Sequence, residues 1–344
     1  MRTKIILYTF LGIFTVIVFT IFSIGLTGDK TVPKTVVDEA SLPSIEIGEI
    51  KLHAETFGNP DNPTIIVVHG GPGGDYQHLL DLKALSDEYY VVFYDQRSTG
   101  LSERVSSEQL TLDSHREELH QIIEYYSNNK PTYLIGHSWG AMLGTYYLSQ
   151  YGETIDKAIL AEPGFLNTQF FAEFYEKTNG LQPQNPSLSM GVNVLKAFIR
   201  SKFIFGPDVD AGADYFIAGM TNSSSTEIPI AGYFCENDAS NGVLPYWRYG
   251  AKSMNVLNSL VSDYEKDSAN FNFDLTEGLE NYQQSVLIIA GECNNIIGPE
   301  FQERQAKLFP NAEVLAIEGA GHTMFGEKPE KSVQIIRDFL KKTN

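Results

Sequence analysis

Gly136-His137-Ser138-Trp139-Gly140 decides how this chain is read. It follows the apolar run Pro131–Ile135 and precedes Ala141–Leu148, which has the composition of a helix. Strand, G-x-S-x-G and helix in that order place a serine on a tight turn, held out from the end of a sheet. The flanking residues must be small, and Gly136 and Gly140 lack the Cβ atoms that would block the turn. The serine then stands at the mouth of a helix, whose first N–H groups favour negative charge. The pentapeptide alone is a weak signal, so two further segments matter.

Upstream, His69-Gly-Gly-Pro-Gly-Gly74 follows the strand-like Thr64–Val68. Backbone N–H groups of Gly71 and Trp139 are the candidates to face a developing oxyanion. A phosphate-binding loop is disfavoured, because no lysine follows in the Walker pattern and Pro72 removes a donor. Downstream, Gly319-Ala-Gly-His322 follows the strand-like Ala312–Ile317. That loop falls at the C-terminal edge of the sheet, where ligands gather in open parallel sheets. A serine hydroxyl needs a base within reach. Ser138 is the nucleophile candidate and His322 the base candidate. His137 is expected on the other side of the turn, His69 is read as structural, and His115 and His120 as solvated on a charged helix.

Strand-like runs at about 45–57, 64–69, 89–94, 132–135, 157–161, 285–290 and 312–317 alternate with helical segments at about 77–86, 114–127, 141–150, 299–308 and 329–341. Continuous Ile/Val runs indicate strands buried on both faces. The alternation predicts an α/β fold with a mostly parallel central sheet flanked by helices. Residues 45–165 and 283–344 form the expected core. The stretch 166–282 breaks the rhythm, is too long for a loop, and is expected to be an inserted helical cap.

The order HGGPGG, DQRSTG (Asp95–Gly100), GHSWG and GAGH resembles the α/β-hydrolase superfamily, most closely its proline iminopeptidase-type branch of serine peptidases. Ser98-Thr99 departs from the Gly plus small residue usual after DQR in that branch. The resemblance implies a Ser–His–acid relay, an acyl-enzyme and no cofactor. Its members usually carry the acid as Gly-x-x-Asp after a strand ending Ile-Ile-Ala-Gly, whereas this chain reads Gly291-Glu-Cys-Asn294. Asn294 cannot supply the charge that stabilises an imidazolium, although it can orient His322. Glu292 is expected to point away. Glu162 ends the strand Lys157–Ala161 and precedes Pro163, a position that some lipases of the superfamily use for their acid. A carboxylate at the end of an apolar strand is costly unless paired, and His322 would pair it. Glu162 is therefore preferred, with Asn294 and Glu292 as alternatives. The competing reading of Glu162 is a carboxylate that binds loop N–H groups.

In the cap, Tyr233-Phe-Cys-Glu236-Asn-Asp238 sets two carboxylates among aromatics. The resemblance implies that such groups hold a substrate's free amino terminus; a solvated acidic loop is the plainer alternative. Tyr246, Trp247 and Tyr249 are read as packing residues. Cys235 and Cys293 could pair outside the cytoplasm, but two are too few for a disulfide framework, so buried, unpaired thiols are expected, and no metal-ligand spacing involves them.

A net charge of −18 leaves no basic surface for nucleic acid. Ile5–Leu26 carries no charge and is long enough, at about 1.5 Å per residue, to cross a ~30 Å bilayer core. Arg2 and Lys4 precede it, which predicts a cytoplasmic N-terminus and a translocated remainder. Residues 1–28 are thus expected to be an uncleaved membrane anchor, or alternatively a signal segment removed on secretion. Residues 29–44 read as a linker. The expected partners are the membrane and a small peptide substrate. The alternatives are a small or membrane-derived ester and, from a different class, a catalytically inactive hydrolase fold used for binding.

Overall fold

The computed structural model describes residues 2–128, 130–178, 187–221, 230–238 and 245–342. Parts of the expected cap (179–186, 222–229 and 239–244) lie outside them. The chain begins with one long apolar helix, α1 (Arg2–Leu26), exposed over most of its length. The expected first strand is two strands, β1 (Ser44–Ile47) and β2 (Ile50–Phe57), because Gly48 turns the chain at φ 60° and pairs Ile47 with Ile50. Then come β3 (Thr64–Val68), β4 (Tyr90–Tyr94), α2 (Leu112–Ser127), β5 (Thr132–His137), α3 (Trp139–Tyr151) and β6 (Lys157–Ala161). Helices α4 (Thr168–Thr178), α5 (Leu188–Ser201), α6 (Ala211–Thr221) and α7 (Asn255–Lys266) are inserted before β7 (Ser285–Gly291). The chain closes with α8 (Pro299–Ala306), β8 (Ala312–Ile317), the short α9 (Met324–Glu327) and α10 (Pro329–Lys341).

The eight strands form one sheet in the order β1-β2-β4-β3-β5-β6-β7-β8. The first two are antiparallel additions at one edge, and β3 to β8 run parallel. Every residue of β3 and β6 is buried. Alternation explains why. Ile66, Val68, Leu134, Leu160 and Ile288 face one apolar layer with α2, α3 and α8. Ile65, Val67, Ile135, Ile159 and Ile289 face a second layer with Phe325, Ile336 and Phe339. A strand sandwiched this way has no polar face to offer, which is why its sequence is continuous Ile and Val. Helix α10 starts with Pro329, whose missing N–H costs nothing in a first turn, and buries Val333, Ile336, Phe339 and Leu340 at helical spacing.

Parallel strands place all their C-terminal ends at one edge. Ser138, Glu162, the loop after Gly291 and the loop after Ile317 are therefore neighbours in space although far apart in sequence.

Candidate active site

Ser138 follows β5 and caps α3 with φ 55° and ψ −118°, a backbone conformation that non-glycine residues rarely adopt. The turn is held by its neighbours' lack of side chains. A Cβ on Gly136 would lie 2.5 Å from the carbonyl oxygen of Gly140, and one on Gly140 would lie 2.1 Å from that of Val68. Ser138 N–H donates to Ala161 O at 2.8 Å, tying the turn to the adjacent β6. Ser138 itself is half-buried. As the first residue of α3, Trp139 has an N–H with no acceptor inside the helix. The glycine loop packs directly on this turn: a Cβ on Gly70 would meet Ser138 Cβ at 3.1 Å. Gly71 has φ 143°, and a side chain there would strike Gly73 N at 2.2 Å.

The DQR turn holds the start of the glycine loop and the Trp139 side chain, a role not legible in the sequence. Gln96 Nε2 donates to His69 O at 2.9 Å, and Gln96 Oε1 accepts from the Trp139 indole at 3.0 Å. Gln96 N–H donates to His69 Nε2 at 3.0 Å, so His69 is fully engaged in the loop. Arg97 pairs with the buried Glu118 at 3.0 Å, and Asp95 with His53 at 2.8 Å. His115, expected in solvent, is instead fully buried with its ring edge-on to Trp139. The charges around it in sequence include Glu118, which turns inward to Arg97 rather than outward.

His322 is buried beside the serine turn. The His137 Nε2–H donates to the His322 carbonyl at 2.8 Å, with the two rings 4.8 Å apart. On the other side, Tyr233 stacks on the His322 ring at 4.4 Å, and its carbonyl accepts the His322 N–H at 2.8 Å. His322 Nδ1 lies 2.5 Å from Glu162 Oε2. Among the described residues no hydrogen bond joins the Ser138 hydroxyl to His322.

Glu162 is fully buried, with φ 45°, immediately after β6. Its Oε1 accepts the Gly291 N–H at 2.7 Å and its Oε2 the Asn294 Nδ2–H at 2.7 Å. Both readings of this carboxylate are thus present at once, loop N–H on one oxygen and imidazole on the other. Asn294 is a neutral donor to Glu162, and its own Oδ1 is occupied by the N–H groups of Ile296 and Ile297. Glu292 points elsewhere, accepting the Gly319 N–H at 3.0 Å. Gln302 and Gln305 of α8 clamp Pro163 O at 2.9 and 3.0 Å, fixing the loop that carries Glu162. Burial lowers His322 to about 4 and raises Glu162 to about 8, so each alone is driven toward its neutral form. The Gly291 and Asn294 donors pull Glu162 the other way.

The cysteines correct the sequence reading. Cys235 and Cys293, with Cα atoms 4.8 Å apart, form a disulfide that ties the inserted region to the loop bearing Asn294. Glu236, next to that bridge, is exposed, and Asp238 is half-buried. They share a short segment with Tyr233, and among the described residues no hydrogen bond joins Glu236 to Ser138 or His322. Tyr246 and Tyr249 pack edge-on to each other, and Trp247 against Tyr76 and His53. Among the described residues no cluster of three or more metal-ligating side chains occurs.

Comparison with known proteins agrees with this architecture. Residues 63–196 match the family model described as alpha/beta hydrolase fold, and 268–344 match one described as TAP-like protein. The proline iminopeptidase PfmaB of Pestalotiopsis fici is 26% identical over 87% of this chain and 99% of its own. The monoacylglycerol lipase ABHD6 of Homo sapiens is 21% identical over 82% of this chain and 77% of its own. The crystal structure of a membrane phospholipase A superposes with a TM-score of 0.57 at 15% identity, covering 98% of this chain and 97% of that one. With its mostly parallel eight-stranded sheet, its helical insertion and these relatives, the chain belongs to the α/β-hydrolase superfamily.

Proposed function

We propose that this protein is a serine hydrolase that works through an acyl-enzyme, and that its substrate is a short peptide with a free amino terminus, cleaved as by an aminopeptidase. The 2.5 Å contact between His322 Nδ1 and Glu162 Oε2, beside the Ser138 turn, carries the reading. It leaves Nε2 as the lone-pair nitrogen of a neutral imidazole, the state a general base requires. The Ser138–His322 gap closes to about 3 Å when substrate is bound, since such contacts are commonly loose without it. Ser138 Oγ then bonds to the scissile carbonyl carbon while its proton passes to Nε2. The oxyanion accepts from the Gly71 and Trp139 N–H groups. The imidazolium, stabilised by Glu162, protonates the departing amine as the C–N bond breaks. Water repeats the sequence on the acyl ester and returns the proton to Ser138. No cofactor enters these steps.

The peptidase reading is supported by HGGPGG, DQR and Ser-Trp-Gly together and by the iminopeptidase relative. Residues 166–282 would act as a cap, and its segment over His322 offers Glu236 and Asp238 to a substrate ammonium. Ester hydrolysis is the second reading, favoured by the carboxylate after β6 and by the monoacylglycerol lipase relative. We further infer that α1 anchors the chain with the catalytic part outside the cytoplasm. The disulfide supports an oxidising compartment.

The test has two stages. A fluorophosphonate should label the wild type and not Ser138→Ala; a folded wild type that stays unlabelled would mark an inactive binding protein instead. Prolyl and alanyl amides are then assayed beside short acyl esters. Amide turnover is expected, and ester turnover without it would replace the peptidase reading by the esterase one.

A further inference from the structure

Among the described residues, most large apolar side chains exposed outside α1 belong to one part of the insertion. Leu188, Val192 and Leu195 recur at spacings of four and three on α5 and are 86%, 40% and 55% exposed. They share one helical face. Phe198 is 45% exposed, and Phe205 and Val209, in the loop that follows, are 90% and 96% exposed. Helix α6 packs along α5, with Phe216 edge-on to Phe198 at the border of the stripe and Gly219 close against Ala197. The remaining exposed large apolars of the described fold (Val37, Tyr125 and Leu315) are isolated, as on any soluble surface.

The charge of this segment runs against that of the whole. From Ser187 to Val209 there are Lys196, Arg200 and Lys202 against one acidic residue, Asp208, which is itself paired with Arg248 at 2.7 Å, in a chain of net charge −18. An apolar stripe with cations beside it is the composition of a helix lying in the headgroup region of an anionic bilayer.

Helix α1 ends on this patch. Phe22 packs edge-on against Phe203 with ring centroids 5.6 Å apart. Gly25 is pressed so closely on the Phe203 ring that a Cβ would meet it at 2.3 Å, and Gly28 lies beside the Arg200 guanidinium. Tyr215 of α6 donates to the Asp29 carbonyl at 3.0 Å, just beyond the helix. At about 1.5 Å per residue, Phe22 is only ~6 Å below Leu26, the end of the apolar run. A side chain that touches Phe22 therefore stands level with the edge of the hydrocarbon core when α1 spans it.

We propose that α5 and the Phe205–Val209 loop are seated on an anionic lipid surface, at the leaflet where α1 emerges. The insertion is then a second point of membrane contact rather than a solvent-exposed cap. This rests on the reading of α1 as an anchor, and the test separates the two. Full-length Leu195→Trp is reconstituted into phosphatidylcholine vesicles with or without phosphatidylglycerol, using acyl chains that are either plain or brominated. Tyr125→Trp, on α2, is the control; the emission of the two native tryptophans, Trp139 and Trp247, is removed by subtracting that of the wild type in the same vesicles. In anionic vesicles the brominated lipid should quench the indole introduced at position 195 at least twofold and leave the one introduced at position 125 unchanged. Quenching should weaken in pure phosphatidylcholine, and also when Lys196, Arg200 and Lys202 are all changed to Gln. Protein that floats with the vesicles but shows no quenching at position 195 overturns the seat and leaves the anchor intact. Protein that does not float overturns both. Blue-shifted, unquenched emission that grows with protein-to-lipid ratio assigns the face to a second copy and overturns the proposal. Equal quenching in neutral lipid overturns its anionic part.

Discussion

At position 294 an amide stands where the resemblance to the proline iminopeptidase branch implies a carboxylate, and a buried carboxylate stands at 162. The geometry explains why the two residues fit together. Asn294 Nδ2 and His322 Nδ1 both approach Glu162 Oε2, at 2.7 and 2.5 Å. An aspartate at 294 would set two carboxylates at hydrogen-bond distance, where like charges force them to share a proton. On the proposed mechanism, Glu162→Gln should lower kcat by about 10⁴-fold, the order seen when a triad acid becomes an amide. Adding Asn294→Asp to that variant should recover at least tenfold of the lost rate (about 1.4 kcal/mol), because a carboxylate returns to the cluster around His322. Both are read from kcat on whichever substrate the activity panel selects. If Asn294→Ala alone costs as much as Glu162→Gln, the acid has been wrongly assigned. The pH profile is a separate check. Burial lowers His322 from 6.5 to about 4, and only its deprotonated form accepts the serine proton. Burial thus shifts the acid limb of kcat/KM for the free enzyme below pH 6.5, and the Glu162 carboxylate opposes that shift. The same shift links to stability. Between pH 6.5 and 4 the unfolded chain binds the proton that the folded chain refuses, so this group makes the fold less stable as pH falls through that window.

Elements meet at His322 from both sides of the sheet edge. The β8–α9 loop supplies the histidine, β5 anchors its carbonyl through His137, and the inserted segment stacks Tyr233 on its ring. That segment is tethered by Cys235–Cys293 across a sequence separation of 58. In the chain-entropy view, a closed loop of that size is worth about 4 kcal/mol at most, and strain commonly reduces the benefit. Replacing both cysteines by serine should lower unfolding free energy by about 2–4 kcal/mol in urea titrations. It should also loosen the Tyr233 contact, so kcat is expected to fall more than KM rises. An unchanged kcat would show that Tyr233 holds its place without the bridge. The sequence does not reveal this pairing. One cysteine lies in a segment with no periodicity, and nothing local shows that its path returns to the β7 edge. Glu162 is legible for the opposite reason: a charge ending a wholly apolar strand has to find a partner. The strands are legible because both faces are buried, and the division of β1 from β2 is not, because a single glycine makes it.

Across the whole molecule, one buried network joins the segment after α1, the insertion and the core. Asp214 of α6 accepts from Arg248 at 2.8 Å, from Arg104 at 3.1 Å and from the Ala251 N–H at 2.9 Å. Arg248 also pairs with Asp208 at 2.7 Å and donates to Pro33 O in the segment after α1. Arg104 binds the carbonyls of Thr99, Gly100 and Ser102 in the turn after DQR. Asp75, beside the glycine loop, accepts the N–H groups of Trp247 and Arg248. The sequence shows these residues only as scattered charges, because their pairing is made by long-range packing rather than by spacing. Two buried guanidiniums around one carboxylate make a clamp whose failure is asymmetric. Asp214→Asn keeps the size of the side chain but leaves Arg104 without its carboxylate and Arg248 with only Asp208. Removing one partner of a buried pair costs about 3–5 kcal/mol. That cost should fall on the docking of the insertion before it reaches the sheet. Hydrogen exchange should therefore accelerate in 208–221 and 248–254, while β5 and β6, buried on both faces, keep their protection. Uniform acceleration through the sheet would mean that the insertion and core unfold as one unit, and that the clamp stabilises the fold rather than the seating of one part upon the other.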